Sequence, residues 1–233
     1  AQIMNNSFIN NFRGIYIRNM DLAEITNNYM EVGADLAPSA PAYGMYFDGC
    51  DKYKVENNRL HNVGGTFGMY TINSGGLSNE IYRNDFHSFK TACQAAGKNG
   101  FGPTNPYAPI GLEYRCNYYS ETVDYDILVS SGRIKSYQGN CSTPIAPANN
   151  QFSNSATQGD YWVNNAPSTT INSRYRFATG TFLSPRNGMF NTNNTNLDVC
   201  NNLLPYDSTL SCPQKVKKTK SDLVVLIGNL RVI

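Results

Sequence analysis

Two imidazoles beside carboxylates are the chemistry this chain offers most openly. His61 and His87 are its only histidines, and each follows an asparagine by three residues, Asn58 and Asn84. The same offset from other asparagines brings Glu31, Ser120 and Ser153, and the residue just after the asparagine is Tyr29, Arg59, Asp85 or Tyr118. If the asparagines recur once per coil, strands about 4.8 Å apart gather Glu31, Arg59, His61, Asp85 and His87 into one outward patch. Imidazole beside carboxylate suits acid–base chemistry or a metal ion. A polar outer face with one exposed ion pair, Arg59 to Asp85, accounts for the same residues more simply, so no catalytic set and no metal site is assigned. The second candidate is a column of Tyr16, Tyr46 and Tyr70. They alternate with Ile15 and Ile17, Met45 and Phe47, Met69 and Thr71, and so stand outward. In a row they predict a flat apolar platform with hydroxyls at its rim, suited to the faces of sugar rings. Strand propensity alone also favours Tyr at such positions.

The elements that must position these residues are legible as a repeat, apolar-x-x-Asn-x-apolar. It reads Ile3, Asn6, Phe8; Ile25, Asn28, Met30; Val55, Asn58, Leu60; Ile81, Asn84, Phe86. More loosely it continues as Tyr114, Asn117, Tyr119 and Pro147, Asn150, Phe152. The spacing of roughly 22 to 33 residues is that of a solenoid whose coils share one core. Gly14-Ile15-Tyr16-Ile17, Gly44-Met45-Tyr46-Phe47 and Gly68-Met69-Tyr70-Thr71 keep step with it, so each coil holds two or three short strands. Asparagine suits the bends because it tolerates the left-handed region and bonds its own main chain. Stacked coil on coil, Asn28, Asn58, Asn84, Asn117 and Asn150 predict a hydrogen-bonded ladder. The expected fold is all-β: a right-handed parallel β-helix over residues 1–155. A β-rich cap with Asn-rich loops is expected over 156–213, and a basic linker with a terminal strand over 214–233. Segments 33–41 and 97–109, rich in Gly and Pro, predict protruding loops, and the Asn-rich stretch 187–202 predicts another.

Only 15% of residues are charged and the net charge is +2, too weak a field to recruit nucleic acid. No run is long and apolar enough to span a membrane. The six cysteines lack metal-ligand spacing and predict disulfides, hence an exported protein. Cys200 is expected to pair with Cys212, its neighbour in a turn-rich stretch, and Cys116 with Cys141, about one coil away.

The coil Gly44-Met45-Tyr46-Phe47, followed by Val55-Glu56-Asn57-Asn58-Arg59-Leu60, resembles the repeats of the pectin-lyase-like superfamily. Residues 111–117, 126–129 and 136–139 are similar to large surface proteins that Bacteroidetes-type bacteria export by type IX secretion. Asp207-Ser208-Thr209 resembles the O-glycosylation signal of those bacteria. The resemblance implies a secreted or cell-surface protein, with a polysaccharide or other glycan as partner and self-association through the solenoid ends as a further expectation. Arg133-Ile134-Lys135 matches one motif of polygalacturonase-like hydrolases, whose Asn-Thr-Asp, Asp-Asp and Gly-His-Gly motifs are missing here. Glycoside hydrolysis needs two carboxylates at a fixed separation, so this match is rejected as a site. The nearest set for a lyase's calcium is Asp48, Asp51 and Glu56. The expected function is therefore non-catalytic, adhesive or carbohydrate-contacting, with no cofactor. A polysaccharide lyase or hydrolase, and a structural fibre or spike, are the alternatives.

Overall fold

The computed structural model describes residues 1–35, 37, 40–101, 110–141, 146–164, 173–178, 184–190, 195–200 and 212. Each repeat becomes one coil with a strand in each of three parallel sheets. Sheet A stacks Gln2–Met4, Glu24–Thr26, Lys54–Glu56, Asn79–Tyr82 and Leu112–Arg115. Sheet B stacks Ser7–Asn11, Tyr29–Val32, Arg59–Asn62, Asp85–His87 and Tyr118–Ser120. Sheet C stacks Arg13–Arg18, Tyr43–Asp48, Phe67–Ile72, Thr91–Ala96, Tyr125–Val129 and Gly159–Val163. The described elements are all strands, and the architecture is a right-handed parallel β-helix.

Apolar columns fill the lumen: Ile25, Val55, Ile81 and Tyr114 from sheet A, Met30, Leu60, Phe86 and Tyr119 from sheet B, Met45, Met69, Cys93 and Ile127 from sheet C. Burying each of the larger side chains contributes roughly 1.5–3 kcal/mol. Toward the later coils the lumen turns aromatic. Phe86 stacks on Tyr119 at 5.4 Å and Tyr119 on Phe152 at 6.1 Å.

The corner between sheets A and B carries the ladder. The Asn84 side-chain oxygen accepts from the Asn58 backbone N–H at 3.0 Å and from its Nδ2 at 2.9 Å, while Asn84 Nδ2 donates to the Val55 carbonyl at 3.0 Å. The same pattern links Asn6, Asn28, Asn58, Asn84, Asn117 and Asn150. It ends on Tyr175, whose hydroxyl takes the Asn150 N–H at 3.0 Å. One expectation is corrected: the left-handed residue at this corner is not the ladder asparagine but the one before it. Asn5, Asn27, Asn57, Arg83, Cys116 and Asn149 all have φ between 44° and 58°. The ladder residue keeps ordinary backbone and gives its amide to the neighbouring coil.

A second column explains the glycines. The pairs on either side place Gly14, Gly44, Gly68, Ala92, Asp126 and Asp160 in line. A Cβ on Gly44 would lie 2.7 Å from the Gly68 carbonyl oxygen and 2.6 Å from Leu60 Cδ2, and one on Gly68 would lie 2.6 Å from the Ala92 oxygen. The first coils therefore exclude any side chain here, and the last two insert carboxylates.

Three expectations about the C-terminal third are corrected. The parallel register does not stop at Ser155, since Gly159–Val163 adds to sheet C with Ile127 opposite Tyr161. Thr195–Val199, expected as loop, is a strand paired in parallel with Ser173–Phe177. Leu197 packs against the core there, one apolar residue in an Asn-rich run that composition alone reads as turn. The four cysteines bond, but with exchanged partners: Cys116 to Cys212 and Cys141 to Cys200. Closeness in sequence misled because the chain folds back along the coils. The bonds close loops of 96 and 59 residues, each constraining the unfolded chain by about 4–5 kcal/mol in the chain-entropy account. Segments 102–109 and 201–211, with the Asp207 triplet, and the basic run and terminal strand of 213–233 lie outside the described residues.

Candidate functional site

The outer face of sheet C is aromatic along its middle, with Arg13 and the Arg18–Asp48 pair at its first coils. Tyr16 is opposite Tyr46, and Tyr46 opposite Tyr70, with alternate residues buried, so all three stand outward. Tyr16 is 54% exposed. Ring centroids are 5.2 Å apart for Tyr16 and Tyr46 and 5.1 Å for Tyr46 and Tyr70, the latter pair inclined by only 8°. Near-parallel rings this close are stacked with an offset, because rings lying side by side in one plane would overlap. Neighbouring Tyr rings therefore pack against one another along the solenoid axis, a stack rather than one flat surface.

Sequence reasoning missed a second aromatic file beside the first. Tyr43 lies 5.1 Å from Tyr46 and Phe67 lies 5.4 Å from Tyr70, edge-on. The Arg13 guanidinium covers Phe12 at 4.9 Å and Tyr43 at 5.3 Å. Strict alternation would send Tyr43 and Phe67 to the other face. Their place just before the column glycines, where the backbone draws tight against the next coil, is the signal that was available. Partial burial pushes the phenols of Tyr43, Tyr46 and Tyr70 above their ordinary range, so they stay neutral hydroxyl donors and acceptors.

The outer face of sheet B is charged. The register brings Glu31, His61, His87 and Ser120 into one column, and Tyr29, Arg59, Asp85 and Tyr118 into the next. The Arg59–Asp85 pair forms at 3.5 Å between an exposed guanidinium and a half-buried carboxylate. Burial raises the Asp85 carboxyl, with Arg59 and the two histidines opposing. His61 and His87 meet edge-to-face at 5.3 Å. His87 Nδ1 lies 3.0 Å from Ser88 Oγ, which donates to Glu121 at 2.7 Å. With the Ser88 proton directed to Glu121, the imidazole donates to Ser88 and does not act as its base. A hollow of about 630 Å³ adjoins this group, lined by His87, Tyr118, Ser120, Glu121, Gln151 and Ser153.

The other sequence candidates are dispersed. Arg133 pairs its strand with Lys98, and Lys135 bonds Glu113 at 2.5 Å. Asp48 takes Arg18 at 3.2 Å, and Asp51 accepts the Leu77 N–H at 3.1 Å. Behind the hollow lie the two column aspartates. Asp160 is fully buried and held by Arg186 at 2.7 Å. Asp126 accepts the Ser153 N–H at 2.8 Å, while its other oxygen has no well-formed partner. Burial pushes the Asp126 carboxyl up to about 6 against the pull of Thr122 and Ser153.

Residues 1–123 match the family model described as periplasmic copper-binding protein (NosD). No curated protein and no solved structure matches the chain. Copper takes imidazole, thiolate and thioether donors. Among the described residues no three His, Cys, Asp or Glu side chains gather as for a metal ion. The histidine pair supplies two rings set edge to face. Cys50 and Cys93 are free but buried, and burial raises both thiols, keeping them from the thiolate that binds metal. The family is periplasmic, and two disulfides agree with an exported protein. With 123 of 233 residues matched and the parallel β-helix in place, the chain belongs to the NosD family.

Proposed function

We propose that this exported β-helix protein contacts glycans through the outer face of sheet C and does not cleave them. The observation that carries this reading is the in-register ladder of Tyr16, Tyr46 and Tyr70, one hydroxyl per coil at centroid steps of 5.2 and 5.1 Å. A row of neutral hydroxyls edged by aromatic C–H matches a polymer that offers hydroxyls and apolar ring edges at regular intervals. Each phenol hydrogen bond contributes about 0.5–1.5 kcal/mol, so binding accumulates along the ladder rather than at one pocket. The charged face of sheet B supports catalysis poorly, since the imidazole of His87 is engaged with Ser88 and Glu121. We further read the export route as type IX secretion, on the sequence resemblance alone.

The test is a glycan-array screen of wild type and Tyr46→Ala, with reducing-end and unsaturated-uronate assays in parallel. The expected result is retention of at least one glycan class, weakened in the variant, with no product formed. Turnover of a uronate polymer that depends on His61, His87 or Arg133 would replace this reading with a polysaccharide-cleaving enzyme.

A further inference from the structure

The file that begins with the tyrosines does not end at Tyr70. Its register continues through Gln94, Leu128 and Trp162. Trp162 is the only tryptophan in the chain. It stands opposite Leu128 on the last strand of sheet C and is partly exposed. A Cβ built on Gly159 would lie 3.0 Å from Trp162 Cβ and 3.3 Å from its Cε3, and 3.1 Å from Tyr125 Cδ1. The indole therefore packs close to Gly159, and a side chain there would press on both it and Tyr125. Its Nε1–H donates to Asn164 Oδ1 at 2.9 Å, which fixes the ring in that pose. The indole is thus packed against its own strand on one side and remains partly exposed. Among the tyrosines, Tyr46 has a neighbouring tyrosine ring on either side.

We infer that the outer face of sheet C takes one extended, uncharged polysaccharide along the solenoid axis, with Trp162 stacking on a sugar ring at the far end. This deepens the reading of the tyrosine ladder and rests on it. Tyr46 and Trp162 are four strand steps apart, about 19 Å at about 4.8 Å per step. Along that path the ligand meets Tyr46 and Tyr70, the amide of Gln94, the apolar Leu128 and then the partly exposed indole. An uncharged polymer fits because the nearby cations are engaged: Arg18 with Asp48 at 3.2 Å, Lys90 with Asp124 at 4.0 Å, and Arg13 over two rings.

The test titrates the full chain with linear gluco-, xylo- and manno-oligosaccharides, from disaccharides to octasaccharides, by calorimetry and Trp162 fluorescence. Affinity should rise with length, and emission should shift only once the ligand is long enough to reach Trp162. Trp162→Ala should lower affinity for the long ligands roughly tenfold and leave the short ones unchanged, and added salt should change neither. Long ligands that depend on Tyr46 yet ignore Trp162, in emission and in the Trp162→Ala variant, overturn this inference and leave the ladder reading intact. Binding confined to anionic polymers and lost in salt overturns the uncharged class. An absence of Tyr46-dependent binding to any glycan removes the underlying reading itself.

Discussion

Two ladders with one rung per coil run along this solenoid, one inside and one outside. The asparagine ladder is buried, and each rung is hydrogen-bonded to the next from Asn6 to Asn150. The tyrosine file is open to solvent and changes identity after three coils, from Tyr70 to Gln94, Leu128 and Trp162. The inner rungs are uniform because a side chain lacking both a donor and an acceptor would orphan backbone groups that water cannot reach. The outer ones are free of that demand, so their chemistry is available for a ligand. Repetition of a residue type alone does not separate a structural column from a binding one; burial and bonding do.

The largest effect belongs to the inner ladder. Asn84→Ala removes the acceptor for the Asn58 N–H and the donor to the Val55 carbonyl, so a loss of about 3–5 kcal/mol is expected in denaturant unfolding. A loss below about 1 kcal/mol would mean that the ladder is ornamental. Next in size is the end of the glycine column. The Asp126 carboxyl is raised to about 6 from 3.8, so between those values the folded state holds more protons than the unfolded one. The contribution of this group to stability therefore falls as pH rises through this window, by about 3 kcal/mol in all. Asp126→Asn keeps an acceptor for Ser153 and should unfold later than wild type at pH 7.5, with the gap closing near pH 4. A gap between Asp126→Asn and wild type that fails to narrow toward pH 4 contradicts that assignment. Gly44→Ala is smaller, about 1–3 kcal/mol of destabilisation from pressing a methyl on the Gly68 carbonyl. An unchanged unfolding midpoint would show that the coils can part at no cost.

Much of this was legible in the sequence, and the part that was not has a physical reason. Asn58 and Asn84 announced the coils because a buried amide has few substitutes at such a corner. The outward register of His61, His87 and Tyr46 followed from strand alternation alone. Tyr43 and Phe67 broke alternation at the column glycines, and no period of two can anticipate that. Ring orientation was hidden too, because the sequence gives the column but not whether Tyr46 turns its face or its edge outward. The cysteine pairing failed because Cys212 meets Cys116 across 96 residues, a contact set by the return path of the chain. The closeness of Trp162 to Gly159 was hidden as well, because it depends on how the indole turns on its strand.

The smallest change is the most telling for the outer ladder. Tyr46→Phe removes one hydroxyl and keeps the ring stacked between Tyr16 and Tyr70, so the fold should be untouched. The decisive measurement is a calorimetric titration of one glycan retained by wild type against wild type, Tyr46→Phe and the His61→Ala/His87→Ala double variant. A loss of about 0.5–1.5 kcal/mol in Tyr46→Phe, with no loss in the double histidine variant, is the predicted result. Full affinity in Tyr46→Phe together with lost affinity in the histidine variant would contradict it and move the binding face to sheet B.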